Sequence, residues 1–369
     1  MSRHIQMSGG LFACMMCIFS YTAAILLLPS ALFKLAGQSA WVAVVLGAAA
    51  GGLIGLFAVY VALRNPRMSA AQSARYLMGK WLGGAVGLLY AGFFIWIYAL
   101  SLRQIVDFVQ IMLLPGTPNW VIAALMAIVV LYGVWEGIEV TARVAFQALV
   151  AITVAVLALP MLVYPEIRAT QVEPFLWRGM PAVYDATWLV VPWFGESMIA
   201  LTFVQYLKNR RLAYRWFLVG LGMATFLLTL LVALGTLVFG PDLPGRFVFP
   251  VYMVIQQISV ARFIERIEVV LIMVWLSGMF IKLSMCQYAS AEAISHAFGL
   301  GTHRWPAVVM AVVGVLITEM FKGTLDAFHL TTSPVYVLTT IAIEVGIPLV
   351  LLIASLLRSA SQRKESPHA

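Results

Sequence analysis

Ten apolar runs, each close to the length a helix needs to cross a lipid bilayer, follow one another along this 369-residue chain with only short polar segments between them. A spanning helix takes about 20 mostly apolar residues. The runs cover residues 11–35, 41–63, 81–114, 119–135, 141–163, 183–207, 214–239, 266–293, 306–321 and 335–357. Hydrophobic residues make up 63% of the sequence and charged residues 10%, too few to clothe a water-soluble domain. The expectation is an all-α integral membrane protein of about ten transmembrane helices, a single domain over 1–369 with the bilayer as its solvent.

The net charge of +8 does not point to nucleic acid, because the basic residues sit in short clusters between apolar runs. Their placement is topological. Arg64, Arg67, Arg75 and Lys80 follow the second run, and Lys208, Arg210, Arg211 and Arg215 follow the sixth. Basic residues concentrate in cytoplasmic loops, so this pattern predicts that both termini are cytoplasmic. The loop 241–265 is expected on the outer face, as a short amphipathic helix. Trp41, Trp81, Trp120, Trp177, Trp216 and Trp305 fall at the predicted helix ends and form an aromatic belt. Trp193 and Trp275 lie deeper.

The ten runs are read as a possible repeat, five over 11–163 and five over 183–357. An odd number of spans per half makes the halves inverted, and transporters of that design bind substrate at broken helices near the midplane. The first run of each half is therefore expected to be interrupted. The sixth run reads Trp188-Leu-Val-Val-Pro192-Trp193-Phe194-Gly195-Glu196-Ser197. Proline removes a backbone donor, glycine admits unusual dihedrals, and Glu196 follows about 20 Å from the outer end. A half-helix starting there would favour a carboxylate; the alternative is a simple kink. The first run reads Tyr21-Thr22-Ala23-Ala24-Ile25 before Pro29 and is either broken or merely kinked.

Ionisable residues within the bilayer are costly and mark functional sites by default. Lys282 lies about 24 Å along the eighth run, where its ammonium is a cation mimic, a proton carrier or a side chain snorkelling to the interface. Glu344, in the middle of the tenth run, is expected to bond a neighbouring helix or carry protons. Arg103 and Asp107, four apart, share a helix face as a local ion pair. Cys14, Cys17 and Cys286 all lie in apolar runs and imply neither disulfide, metal nor redox cofactor. The run from Leu11 to Phe33 is read as a retained helix rather than a cleaved leader. Nothing in the chain carries an enzyme's phosphate loop, metal cluster or nucleophile–base pair.

Phe263-Ile-Glu265-Arg266-Ile-Glu268, then Trp275, then Gly278-Met-Phe-Ile-Lys282-Leu-Ser284, resembles the spore germination permease family, the B subunits of nutrient germinant receptors. Ile25-Leu-Leu-Leu-Pro29 and Gly195-Glu196 are similar to the same family. The resemblance implies the fold of the amino acid–polyamine–organocation transporter superfamily, with a five-plus-five inverted repeat. It also implies recognition of a small germinant, commonly an amino acid, beside A- and C-type subunits in the spore inner membrane. Where that superfamily usually has glycines in its first break, this chain has Thr22-Ala23-Ala24.

Three functions follow: recognition of a small molecule that triggers germination, proton-coupled or cation-independent amino-acid transport, and a scaffold for a channel-forming partner. The binding residues are expected to be Tyr21, Thr22, Ala23, Ala24 and Ile25 with Trp193, Phe194, Gly195, Glu196 and Ser197, and also Tyr98 and Ser277. Lys282 and Glu344 are the expected cation-mimic or proton sites.

Overall fold

A computed structural model describes residues 6–174, 176–256, 267–321 and 323–365. Among them there is no strand beyond a single bridge between Met7 and Leu207. The helices are α1 (Gly9–Tyr21), α2 (Ala24–Ala36), α3 (Ala40–Arg64), α4 (Ala70–Met112), α5 (Asn119–Glu136), α6 (Ile138–Leu162), α7 (Gly179–Gly195), α8 (Ala200–Phe203), α9 (Ala213–Phe239), α10 (Pro250–Gln256), α11 (Ile267–Phe298), α12 (Arg304–Met320), α13 (Thr324–Thr332) and α14 (Pro334–Glu365). By length and composition, eight described helical stretches can cross a membrane. One of them, Ala24–Arg64, contains both α2 and α3, joined by a 3₁₀ turn at Gly37–Ser39. With α1 and α2 taken as halves of one interrupted span and the 17-residue α12 included, the ten runs of the sequence are accounted for. The lipid-facing surface is apolar: Leu53, Ile128, Val154 and Leu338 are all more than 60% exposed. In water such a surface would drive aggregation; in hydrocarbon it is neutral.

Both expected interruptions are present, and both are milder than unwound backbone. The first span stops at Tyr21 and restarts at Ala24, while Thr22 (φ −70°, ψ −38°) and Ala23 (φ −79°, ψ −32°) keep helical dihedrals. No glycine is needed for such a defect, which is why Thr22-Ala23-Ala24 serves. The sixth span runs through Pro192 to Gly195, tightens to 3₁₀ over Glu196–Ile199, and ends through α8. The change of winding thus falls after the proline, at the glutamate.

Other departures are local. The third span is preceded by a turn-separated helix, because Gly79 takes φ +81° and divides α4; glycine alone adopts that conformation without strain. The expected loop helix exists as α10, but its Pro250, Val251, Tyr252 and Val254 are buried; residues 257–265 of that loop, and motif residues 263–266, lie outside the described residues. The nine-residue α13 was not evident from hydropathy. Arg103 and Asp107 pair at 2.5 Å as expected, yet both are buried inside the protein, and Arg103 also donates to the Phe321 carbonyl at 2.9 Å.

The packing that places the sixth-span break depends on small residues. Gly47, Gly51 and Gly55 recur every four residues, on one face of α3. A Cβ at Gly47 would sit 2.8 Å from the Thr187 carbonyl oxygen, and one at Gly51 would sit 2.8 Å from the Gly195 nitrogen. One at Gly55 would strike the Ser197 hydroxyl and the Phe217 ring. Small residues let helix backbones approach closely in a membrane. Gly51→Leu is therefore expected to lower stability by at least about 2 kcal/mol, read as a fall in thermal midpoint in detergent. Gly92→Leu, where a Cβ meets nothing within 4 Å, should leave the midpoint unchanged.

Candidate functional site

One stripe of α11 clasps the first-span break. Trp275, Gly278 and Lys282 are spaced i, i+3 and i+7, so they share a helix face. The Trp275 indole N–H donates to the Thr22 carbonyl at 2.9 Å. Gly278 has no side chain because Thr22 occupies that space: a Cβ there would lie 2.8 Å from the Thr22 methyl. Lys282 donates to the Phe19 carbonyl at 3.2 Å and rests 4.6 Å from the centre of the Phe19 ring. The last carbonyls of a helix lack intrahelical partners. Here α11 supplies those partners to the end of α1 and the residue after it.

The same lysine reaches the second break. Lys282 Nζ lies 2.5 Å from Glu196 Oε2, with Lys282 1% and Glu196 5% exposed. Lys282 therefore does not snorkel. A buried charge is tolerated only when paired and hydrogen-bonded, and the pair meets that condition. It joins three elements: α11, the end of α1, and the 3₁₀ turn after α7.

Glu344 of α14 sits against this turn. A Cβ on Gly195 would collide with its carboxylate, so Gly195 is needed for room rather than for its dihedrals, which are helical. Glu344 is fully buried, and neither of its oxygens has a hydrogen-bond partner among the described residues. The interhelical bond expected of it is not formed. The Ser197 hydroxyl beside Gly55 is likewise buried without a partner among the described residues.

The remaining expected residues separate into groups. Tyr21 and Ile25 line an apolar cavity of about 70 Å³ with Phe108, Val251 and Trp275, on the α6, α9 and α10 side of the first break. Thr22 uses its hydroxyl on the Ile18 carbonyl at 2.6 Å; Ala23 and Ala24 are buried and pack. Trp193 faces a narrow cleft with Leu28, Leu189 and Phe328, while Phe194 is buried in the core. The Tyr98 ring packs where a Cβ of Gly314 would be, with its hydroxyl unpartnered among the described residues. Ser277 donates to its own helix, to the Val274 carbonyl at 2.6 Å. The structure thus brings Lys282, Glu196, Gly195 and Glu344 into one cluster, and does not place Ser277 or Trp193 on it. The structural part of Trp275 and the Gly47-Gly51-Gly55 stripe went unrecognised in the sequence, although the four-residue spacing of the glycines was legible there.

Comparison with known proteins shows the family and the fold. A family model described as "Spore germination protein" matches residues 6–326. Among curated proteins, the chain is 28% identical over 335 residues to spore germination protein KB of Bacillus subtilis (strain 168), covering 88% of each. It is 24% identical over 304 residues to spore germination protein A2 of the same organism, covering 80% of each. Among solved structures it is similar to Mhp1, a nucleobase-cation-symport-1 family transporter in a closed conformation with bromovinylhydantoin bound. That likeness has a TM-score of 0.60 at 16% identity, over 88% of this chain and 74% of that one. It is also similar to a substrate-bound, outward-open Na⁺-coupled sialic acid symporter, with a TM-score of 0.61 at 13% identity, over 94% and 79%. At such identities the likeness shows the fold: a helical, inverted-repeat transporter architecture.

Removing one partner of a buried ion pair leaves the other charge stranded, at a cost of about 3–5 kcal/mol, whereas replacing both by apolar groups is often neutral. Lys282→Met is expected to destabilise by that amount in thermal unfolding, and Lys282→Met combined with Glu196→Leu to recover most of the loss. Losses that simply add would show that the two side chains are not energetically coupled.

Proposed function

We propose a ligand-recognising role on one premise: the chain belongs to the spore germination protein family, and its fold is that of small-molecule transporters. In this proposal the chain is the permease-like subunit of a spore germinant receptor. It recognises a small-molecule germinant, an amino acid, at the two helix breaks, beside A- and C-type subunits in the spore inner membrane, with both termini cytoplasmic. The halves 11–163 and 183–357 are its two repeats.

The observation that carries this is the Lys282–Glu196 pair between the breaks. A net charge moved into a site this buried would be heavily penalised. A zwitterion can exchange into an existing ion pair without adding net charge. Its carboxylate takes the place of Glu196 on Lys282, and its ammonium is received by Glu196 and by the unpartnered carboxyl of Glu344. The apolar cavity at Tyr21, Ile25 and Trp275 receives the side chain. Exchange of this kind loosens the clasp on Phe19 and on the turn after α7. That gives the ligand different affinities for the clasped and released states, which any ligand-driven change requires.

Transport of an amino acid through the same cluster is the second possibility. It is favoured by the likeness to cation-coupled symporters, with the ammonium of Lys282 standing for a coupling cation and Glu344 as the proton site. Net flux of amino acid into liposomes holding the purified protein alone would favour transport over sensing.

Ligand-induced thermal stabilisation across the amino acids tests the recognition itself. At least one is expected to raise the midpoint of the wild type. Glu344→Gln, which keeps size and shape, should still fold but need at least about tenfold more ligand for the same rise. No stabilisation by any amino acid would overturn amino-acid recognition.

A further inference from the structure

The recognition cluster is closed off in this structure, but a larger cavity opens beside it. Between α2, α7, α13 and α14 lies a space of about 550 Å³, within the size range of small-molecule sites. Its walls are mostly apolar, with Trp188, Leu189, Phe328 and Val337 prominent. Two charged side chains line it, Lys34 of α2 and Asp185 of α7. Neither is paired with the other. Lys34 lies over the Phe328 ring, 4.8 Å from its centre, and Asp185 makes no hydrogen bond or ion pair among the described residues.

The cavity points toward the breaks. A smaller cleft of about 10 Å³ shares Leu189, Phe328 and Thr332 with it and is also lined by Trp193. Along α7 and into the 3₁₀ turn after it, Asp185, Leu189, Trp193 and Glu196 are spaced by three or four residues, so one face leads from the cavity to the ion pair. On α14, Val337 and Glu344 are seven apart and share a face in the same way. Hence α13, the helix that hydropathy did not reveal, supplies the wall that makes the groove a cavity, through Phe328 and Thr332.

We propose that this cavity is a second, outer binding site for an α-amino acid with an apolar side chain, occupied before the ligand passes Trp193. The charges fit that occupant: Asp185 takes the ammonium, Lys34 the carboxylate, and Trp188, Phe328 and Val337 the side chain. One positive and one negative group, both exposed at the rim of an apolar groove, select a zwitterion over a simple amine or acid, since each of those leaves one charge unmatched. This inference rests on the recognition proposed above and adds a site to it.

The test is equilibrium binding of radiolabelled L-leucine to the purified protein in phosphatidylcholine nanodiscs. Two molecules are expected per wild-type chain. Asp185→Asn and Lys34→Met should each remove one of them, and Glu344→Gln should remove the other. Charge exchange, Lys34→Asp with Asp185→Lys, should restore the outer site. Competition by 3-methylbutylamine or 4-methylpentanoate, which lack one charge each, should be at least about tenfold weaker than by unlabelled L-leucine. A stoichiometry of one that is abolished by Glu344→Gln and unchanged in the Asp185 and Lys34 variants would overturn the outer site and leave the central one standing. So would phospholipid held in the groove of the wild type with leucine binding indifferent to both charges. No binding of L-leucine, with another amino acid still stabilising the wild type through Glu344, would overturn the outer site as described. No amino acid binding at all would remove both.

Discussion

A single buried ammonium joins the two helix interruptions. Lys282 meets the end of α1 through the Phe19 carbonyl and the turn after α7 through Glu196. Trp275, two turns away on the same face, meets the Thr22 carbonyl. Interrupted helices leave backbone polar groups that hydrocarbon cannot satisfy, so irregular backbone at membrane depth survives only inside protein. At the first break the α11 stripe supplies partners to the Phe19 and Thr22 carbonyls, and at the second it meets the Glu196 side chain. The first break is therefore held by α11, which lies there because Gly278 leaves room for Thr22.

Much of this architecture was legible beforehand. Hydropathy alone locates the ten spans to within a few residues, since no other structure tolerates so many apolar runs. The inverted arrangement follows from an odd number of spans per half, and Pro192 and Gly195 mark the sixth span within a few residues of its change of winding. What escaped were features whose cause is tertiary. The change of winding falls at Glu196 rather than Pro192, where α3 approaches closely through Gly51 and Gly55. The helix α13 is too short and too polar to register as a span, and it is fixed by what it covers.

The candidate site was legible in its parts and not in its connections. Lys282, Glu196 and Glu344 stand out in the sequence as charges in apolar runs, but nothing in their spacing says which pair forms. Glu344 falls beside Gly195, and Lys282 reaches Glu196 instead, so the carboxyl of Glu344 is left unpartnered among the described residues. Ser277 looked equally placed on α11, yet it is two residues from the Trp275 position and turns to its own helix. Side-chain direction around a helix separates these residues, and only the packing of α11 against α1 fixes which direction faces the break.

Recognition in this account is a competition for one lysine. The ligand must offer what Glu196 offers and return a cation to the carboxylates it displaces, which makes a zwitterion the natural occupant and couples its binding to the clasp. The most direct measurement is the distance from Lys282 Nζ to Glu196 Oε2 in an experimental structure of the protein with a stabilising amino acid bound. Separation of the pair, with the ligand carboxylate on Lys282 and its ammonium at Glu344, is the predicted result. An intact pair at about its present 2.5 Å, with the amino acid bound elsewhere, would contradict it.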